Sequence, residues 1–171
     1  MSIEDLQQTP GFRRVRLMMK KYGQSTPEVP TEPTPQERVR MAAVLFEEVM
    51  ESIWKGLGIE LRVYQGVSGS LDAHGCLYHT MNGENTIEFV QTGKFNMVEA
   101  IDGALDTIVT ARGIMVGCGV ADVALEYEVD CNNLEKFGPG CYKDANGKHC
   151  KPPNHPKPDI EGLLKKQGWK G

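Results

Sequence analysis

The sequence predicts an all-α chain carrying one small β insertion. Three observations predict it: long runs whose apolar residues recur three or four apart, helix-capping signals ahead of those runs, and one section, about 59–95, where the period falls to two. At 171 residues, 40% hydrophobic and 25% charged, the chain fits a single domain, 1–171, large enough to bury a core. It has no run of 18 or more apolar residues, which excludes a helical membrane span. A formal net charge of −4 supplies no basic field for a nucleic-acid polymer, so a phosphate partner is expected to be small and to arrive with metal ions. The start "MSIEDLQQTP" lacks the basic and then apolar pattern of a secretory leader, so a cytoplasmic protein is expected.

The elements follow in order. Phe12, Val15, Met19 and Tyr22 lie on one face of a short first helix that Gly23 ends. "STPEVPTEPTP", with prolines at 27, 30, 33 and 35, reads as an extended connector. At its end Thr34 is an N-cap, Pro35 suits the first helical position and Glu37 completes a capping box, which predicts a helix over about 35–55. Val39, Ala42, Ala43, Phe46, Met50, Ile53 and Trp54 form its apolar stripe, and Gly56 and Gly58 stop it.

"IELRV" then alternates, and "CLYHTMNGENTIEFV" places two strand-like runs around an Asn82-Gly83 turn signal. Helix resumes over "MVEAIDGALDTIVTARGIMVG", capped by Asn96 with Glu99 as its partner; Met97, Ile101, Leu105, Ile108 and Met115 are its expected core face. A further helix in "VADVALEYEVDCNNLEKFG" carries Val123, Tyr127, Leu134 and Phe137 and ends at Gly138. The tail, about 138–171, is Pro/Gly-rich with a short helix near 160–167.

Five cysteines, an odd count with no CxxC pair, argue against a disulfide framework. Cys141, His149, Cys150 and His155 leave a zinc site open. Their spacing lacks the short clip of structural zinc sites, and reduced thiols in a polar tail are the preferred reading.

"FEEVMESI" carries the chemistry. Residues three or four apart on a helix are neighbours at about 5–6 Å, so Glu48 and Glu51 share a face with Glu47 on its edge, while Asp102 and Asp106 are spaced i,i+4 on the later helix. Packed antiparallel, the two helices would bring these carboxylates to one patch. Unpaired acids so close repel and resist desolvation, and a hard divalent cation removes both penalties. Mg²⁺ is the expected ion, Mn²⁺ a substitute, and more than one ion fits so many oxygens. Glu-rich helices are ordinarily solvated faces paired with Lys or Arg, but no basic residue lies between Arg40 and Lys55 or between Asp102 and Arg112.

Three ordered blocks, "EEVME", "DGALDTIVTARGIMVGCGV" and "EVDCNNLEKFG" with "GKHCKPPNHPKPDI", resemble the MazG-type branch of the all-α NTP pyrophosphohydrolase superfamily, which includes phosphoribosyl-ATP pyrophosphatase and dimeric dUTPases. They cover about two thirds of the chain and match the EExxE motif, a second acidic helix with Asp106 and, at its following turn, Gly113, and the N-x-x-K and G-K-x-x-K-P-x-x-x-x-P-D-I ending of single-domain, phage-type members. One departure stands out: the usual second motif is ExxD, and here Gly103 occupies the Glu position with Asp102 one residue earlier. The β insertion is also longer than the loop of many members.

The resemblance implies a MazG-like helical bundle completed by oligomerisation, as a homodimer or homotetramer. It implies hydrolysis of a (d)NTP between the α and β phosphates, giving (d)NMP and pyrophosphate, with dGTP/GTP and dUTP the first substrates to test. Glu48, Glu51, Asp102 and Asp106 are the implied metal ligands; Glu47 orients or deprotonates the attacking water, or is itself a ligand. Asn133 and Lys136 match the nucleotide-contacting pair, and Lys148 and Lys151 of the tail would close over the triphosphate of a neighbouring subunit. Trp54, Tyr78 and Phe89 are candidates to stack a base, with a core role preferred. The competing expectation is a non-catalytic helical module whose acids bind a structural cation or a basic partner.

Overall fold

A computed structural model describes residues 3–63, 87–144 and 147–171. It is mostly helical, with two small two-stranded sheets. The described residues group into two compact units, one formed by Met1–Met41 with Ala111–Gly171 and one by Ala42–Thr110.

In the first unit, helix α1 (Pro10–Lys21) starts where Thr9 accepts a hydrogen bond from Phe12 N at 3.2 Å, with proline at its first position. Gly23, at φ 67°, takes the left-handed conformation that follows its end. Its apolar face is buried as expected: Phe12, Val15 and Met19 join Ile3, Val116, Val120, Ala121 and Leu125 in the core. Helix α4 (Val123–Leu134) continues into a 3₁₀ turn, Glu135–Phe137. The tail adds strands β3 (Tyr142–Lys143) and β4 (His149–Cys150), antiparallel with Tyr142 opposite Cys150, and a short helix α5 (Ile160–Lys166) capped by Asp159. Fully buried Asp122 accepts from Thr9 N at 3.0 Å and from the Thr9 hydroxyl. Gln167 ties the segment after α5 inward: Ala121 N donates to its Oε1 at 2.8 Å, and its Nε2 donates to Ala121 O at 3.1 Å.

Helix α2 (Pro35–Glu51) begins with the expected capping box: Thr34 N donates to Glu37 Oε2 at 2.7 Å and Glu37 N to Thr34 Oγ1 at 3.3 Å. It does not run on as regular helix to residue 55. A π-helical turn, Ser52–Gly56, replaces its last part and closes with Leu57 N donating to Ser52 O at 3.0 Å.

The second unit continues with β1 (Ile59–Val63), paired antiparallel to β2 (Ile87–Gln91) with Leu61 opposite Phe89. The Asn82-Gly83 turn signal and Tyr78 lie outside the described residues. Helix α3 (Met97–Gly117) starts where Val98 N and Glu99 N donate to Asn96 Oδ1, at 3.1 and 3.4 Å. Gly113 lies inside this helix and not in a turn after it.

The expected core faces of α2 and α3 are where the sequence reading fails. Phe46, Trp54, Ile101 and Leu105 expose 59, 67, 54 and 56% of their surface, and Val39, Met97, Ile108 and Phe89 are exposed with them. The core role preferred for Trp54 and Phe89 is therefore overturned. Tyr127, Leu134 and Phe137 of the third predicted stripe are also exposed, and Leu125 is the α4 side chain that is buried. The physical reason is a shortage of covering surface. Among the described residues Ala100 is the only buried apolar side chain of the second unit, whose close contacts are made by glycines instead. No helix among the described residues is long and apolar enough to cross a membrane.

Candidate metal centre

All five acids of the candidate site belong to the second unit. Glycine brings their two helices together. A Cβ on Gly103 of α3 would stand 2.8 Å from Ser52 Cα, and a Cβ on Gly56 would stand 2.4 Å from Ala100 Cα. A side chain at either position forces the facing backbone to shift, so glycine at 103 and at 56 is a packing requirement of this chain.

The approach has an electrostatic consequence centred on Glu48. Its carboxyl is pushed above its ordinary value, first by desolvation, then by the charges of Asp106, Glu51, Glu47 and Asp102. Glu48 and Glu51 are half-buried, while Glu47, Asp102 and Asp106 are exposed. Carboxylates from both helices thus act on one atom group, and among the described residues neither Glu48 nor either aspartate has an ion-pair partner. Glu51 has one: Lys55 Nζ lies 2.8 Å from its Oε1. That bond, joined by the charges of Glu51, Glu99 and Glu47, holds the Lys55 ammonium above its usual pKa.

A donor set made only of carboxylates suits a hard oxygen-seeking cation such as Mg²⁺ or Mn²⁺. Among the described residues, however, no group of three or more His, Cys, Asp or Glu side chains stands ready to hold a metal ion. Glu51 is turned to Lys55.

The same finding bears on the tail. Cys141 Sγ donates to Glu135 O at 3.1 Å, His155 Nε2 lies 2.6 Å from Glu135 Oε2, Cys150 Sγ donates to Lys148 O at 3.5 Å, and the His149 ring packs against Phe137 at 5.1 Å. Cys141 and His155 thus share Glu135, through its carbonyl and its carboxylate, while Cys150 and His149 contact Lys148 and Phe137.

Compared with known protein families and with curated proteins, the chain matches none.

The nucleotide candidates lie in the first unit. Lys136 Nζ donates to Asn133 Oδ1 at 2.9 Å, and Lys151 Nζ donates to Asn132 Oδ1. Lys148 is exposed, and its backbone N–H donates to Asp144 Oδ1 at 2.9 Å. Sequence reasoning missed Asn132, which also donates through Nδ2 to Pro156 O at 3.0 Å and so anchors the tail to α4. It passed over Lys55 as well, although a Glu-to-Lys step of four residues on a helix is the signal for such a pair.

Proposed function

We propose that the chain is a metal-dependent nucleoside triphosphate pyrophosphohydrolase, cleaving a (d)NTP between the α and β phosphates to (d)NMP and pyrophosphate. The observation that supports it most is the close approach of α3 to the segment that follows α2, at Gly103 against Ser52 and Gly56 against Ala100, with the Glu48 carboxyl raised first by desolvation and then by the charges of Asp106, Glu51, Glu47 and Asp102. The three ordered sequence blocks that resemble MazG-type enzymes supply the reaction class.

In this reading Glu48, Glu51, Asp102 and Asp106 hold the cation. When bound, Mg²⁺ or Mn²⁺ neutralises the polyphosphate and makes water more acidic. Glu47, at the exposed edge of the cluster, orients that water or takes its proton. Lys136 offers a point charge to phosphate with Asn133 beside it to bond sugar or base, and Lys148 and Lys151 add charge from the tail. The exposed apolar faces of α2 and α3 support a homodimer or homotetramer, since apolar surface left on two neighbouring helices marks a contact with a second copy.

A second reading has one observation in its favour: one acid of the cluster, Glu51, already pairs with a basic side chain, Lys55, at 2.8 Å. In it the acids bind a structural cation or a basic partner without catalysis. Pyrophosphate release from a panel of NTPs and dNTPs, dGTP, GTP and dUTP first, with Mg²⁺ or Mn²⁺, separates the two. Release that disappears in Glu48→Gln supports the enzyme. No release from any nucleotide overturns it in favour of the module.

A further inference from the structure

We propose that the ribbon of β3 and β4, with the end of α4 beneath it, is a docking face for single-stranded nucleic acid, on which Tyr142 and Phe137 stack bases and the lysines beside them take phosphates. Residues 136–157 carry five lysines, Lys136, Lys143, Lys148, Lys151 and Lys157, against one acid, Asp144, a local excess of positive charge that the net −4 of the whole chain conceals. Among the described residues none of the five ammonium groups has a carboxylate partner: Lys136 and Lys151 are bonded to the neutral amides of Asn133 and Asn132. Glu135, beside Lys136 in the chain, is taken by His155 at 2.6 Å, and Glu128 by the backbone N–H of Asp159 at 3.0 Å. The charge of this end of the first unit is left for a partner, and the partner it complements is a polyanion.

Charge alone suits any polyanion; the aromatic rings select one that carries bases. Phe137 and Tyr142 expose 73 and 52% of their surface. Both are held: the His149 ring lies 5.1 Å from that of Phe137 and so fixes β4 against the 3₁₀ turn, and Tyr142 stands opposite Cys150 in the ladder. Alternation along the strand turns Tyr142 to the side of the ribbon away from His149, so the two rings offer separate stacking positions, each with a lysine as its chain neighbour, Lys136 or Lys143. Exposed ring planes flanked by unpaired cations fit a single strand, since every base has a π-face to stack and every link a phosphate. Among the described residues of 136–157 these rings are the large exposed apolar side chains, without the aliphatic stripe by which a helix enters a lipid surface. The inference needs no divalent ion and stands apart from the metal-site reading.

The test is fluorescence anisotropy of a labelled oligo-uridylate of about 12 nucleotides, titrated with the full chain in EDTA at several salt concentrations from about 50 to 200 mM. The proteins are the wild type, Tyr142→Ala, Tyr142→Phe and Lys143→Gln, each checked for an unchanged melting temperature. The wild type is expected to bind, with affinity falling linearly on a log–log plot against salt. Tyr142→Ala is expected to lose about fivefold or more at every salt concentration with the slope unchanged, while Tyr142→Phe, which keeps the ring, stays within about twofold of the wild type. Lys143→Gln is expected to flatten the slope by about 0.7, the share of one phosphate contact on a single strand. No binding at about 50 mM salt overturns the inference, as does a Tyr142→Ala protein that binds like the wild type or a Lys143→Gln protein with the wild-type slope. Inorganic polyphosphate that competes as well as the oligonucleotide overturns it in favour of charge alone, and phosphatidylserine vesicles that bind more tightly overturn it in favour of a lipid surface. Failure of the nucleotide panel to release pyrophosphate leaves this experiment untouched, so the two readings fail separately.

Discussion

Gly103 lies so close to Ser52 that a methyl group on its Cα would stand 2.8 Å from both Cα and Cβ of that serine. Gly103→Ala therefore forces α3 away from the π-helical turn, at a cost of about 1–3 kcal/mol by the scale of overpacked sites. It also moves Asp102 and Asp106 away from Glu48, so Mn²⁺ binding weakens. Gly113→Ala on the same helix is the contrast, because its Cβ would meet only Met19 Sδ at 3.8 Å. Helix propensity then makes it neutral or stabilising by up to about 1 kcal/mol. Thermal unfolding of the two variants should move in opposite directions.

This pair of glycines shows what the sequence made legible and what it did not. Caps were readable because Thr34, Glu37 and Asn96 act within three residues of themselves, and their bonds formed as expected. The acid spacing was readable because a helix sets it locally. The meaning of Gly103 depended on which backbone faces it, a tertiary fact that no period encodes. The apolar stripes misled for a related reason: Phe46 and Ile101 have helical spacing whether their cover comes from this chain or from another. The π-helical turn at Ser52–Gly56 carries no pattern distinct from the regular helix it replaces.

The contribution of Glu48 to stability is expected to fall as pH rises. Its folded pKa stands above the ordinary 4.5, so in the window between the two the native chain holds a proton that the unfolded chain has released. Its contribution favours the fold below that window and is lost as pH rises through the folded value. In the absence of metal, Glu48→Gln is expected to melt higher than the wild type at pH 7, by about 1–3 °C on the scale of about 0.2–0.5 kcal/mol per relieved like-charge pair. The difference should close on acidification toward pH 4. Added Mg²⁺ should reverse the order at neutral pH by stabilising only the wild type. A wild type whose melting temperature climbs smoothly from pH 4 to 7 relative to the variant contradicts this assignment.

The buried polar side chains of Asp122 and Gln167 help hold the first unit. Gln167→Ala leaves Ala121 N–H and C=O without their partners, and Asp122→Ala removes the acceptor of both the N–H and the hydroxyl of Thr9. A buried group stripped of its bond costs about 1–3 kcal/mol, so each variant is expected to lower the unfolding free energy by that order, read as a lower urea midpoint at unchanged m-value. Metal affinity should stay as in the wild type, because neither residue belongs to the unit that carries the acids.

The tail lysine supplies the last expectation. Lys151 Nζ is held by Asn132 Oδ1, and Asn132 in turn holds the tail through Pro156 O. If Lys151 gives its charge to the triphosphate, it binds ground state and transition state alike, and Lys151→Ala raises KM while leaving kcat nearly unchanged. A charge-assisted bond of about 1.5–3 kcal/mol corresponds to a rise of roughly tenfold or more. Asn132→Ala leaves the lysine in place but untethered, so its KM should rise less, while the tail becomes easier for a protease to cut. The effect of Lys151→Ala should also fade at high salt, where screening already weakens the contact. Steady-state kinetics of both variants on the best substrate of the panel make the check. A Lys151→Ala enzyme that loses kcat at unchanged KM would place the lysine on the reacting atoms and not on the resting triphosphate.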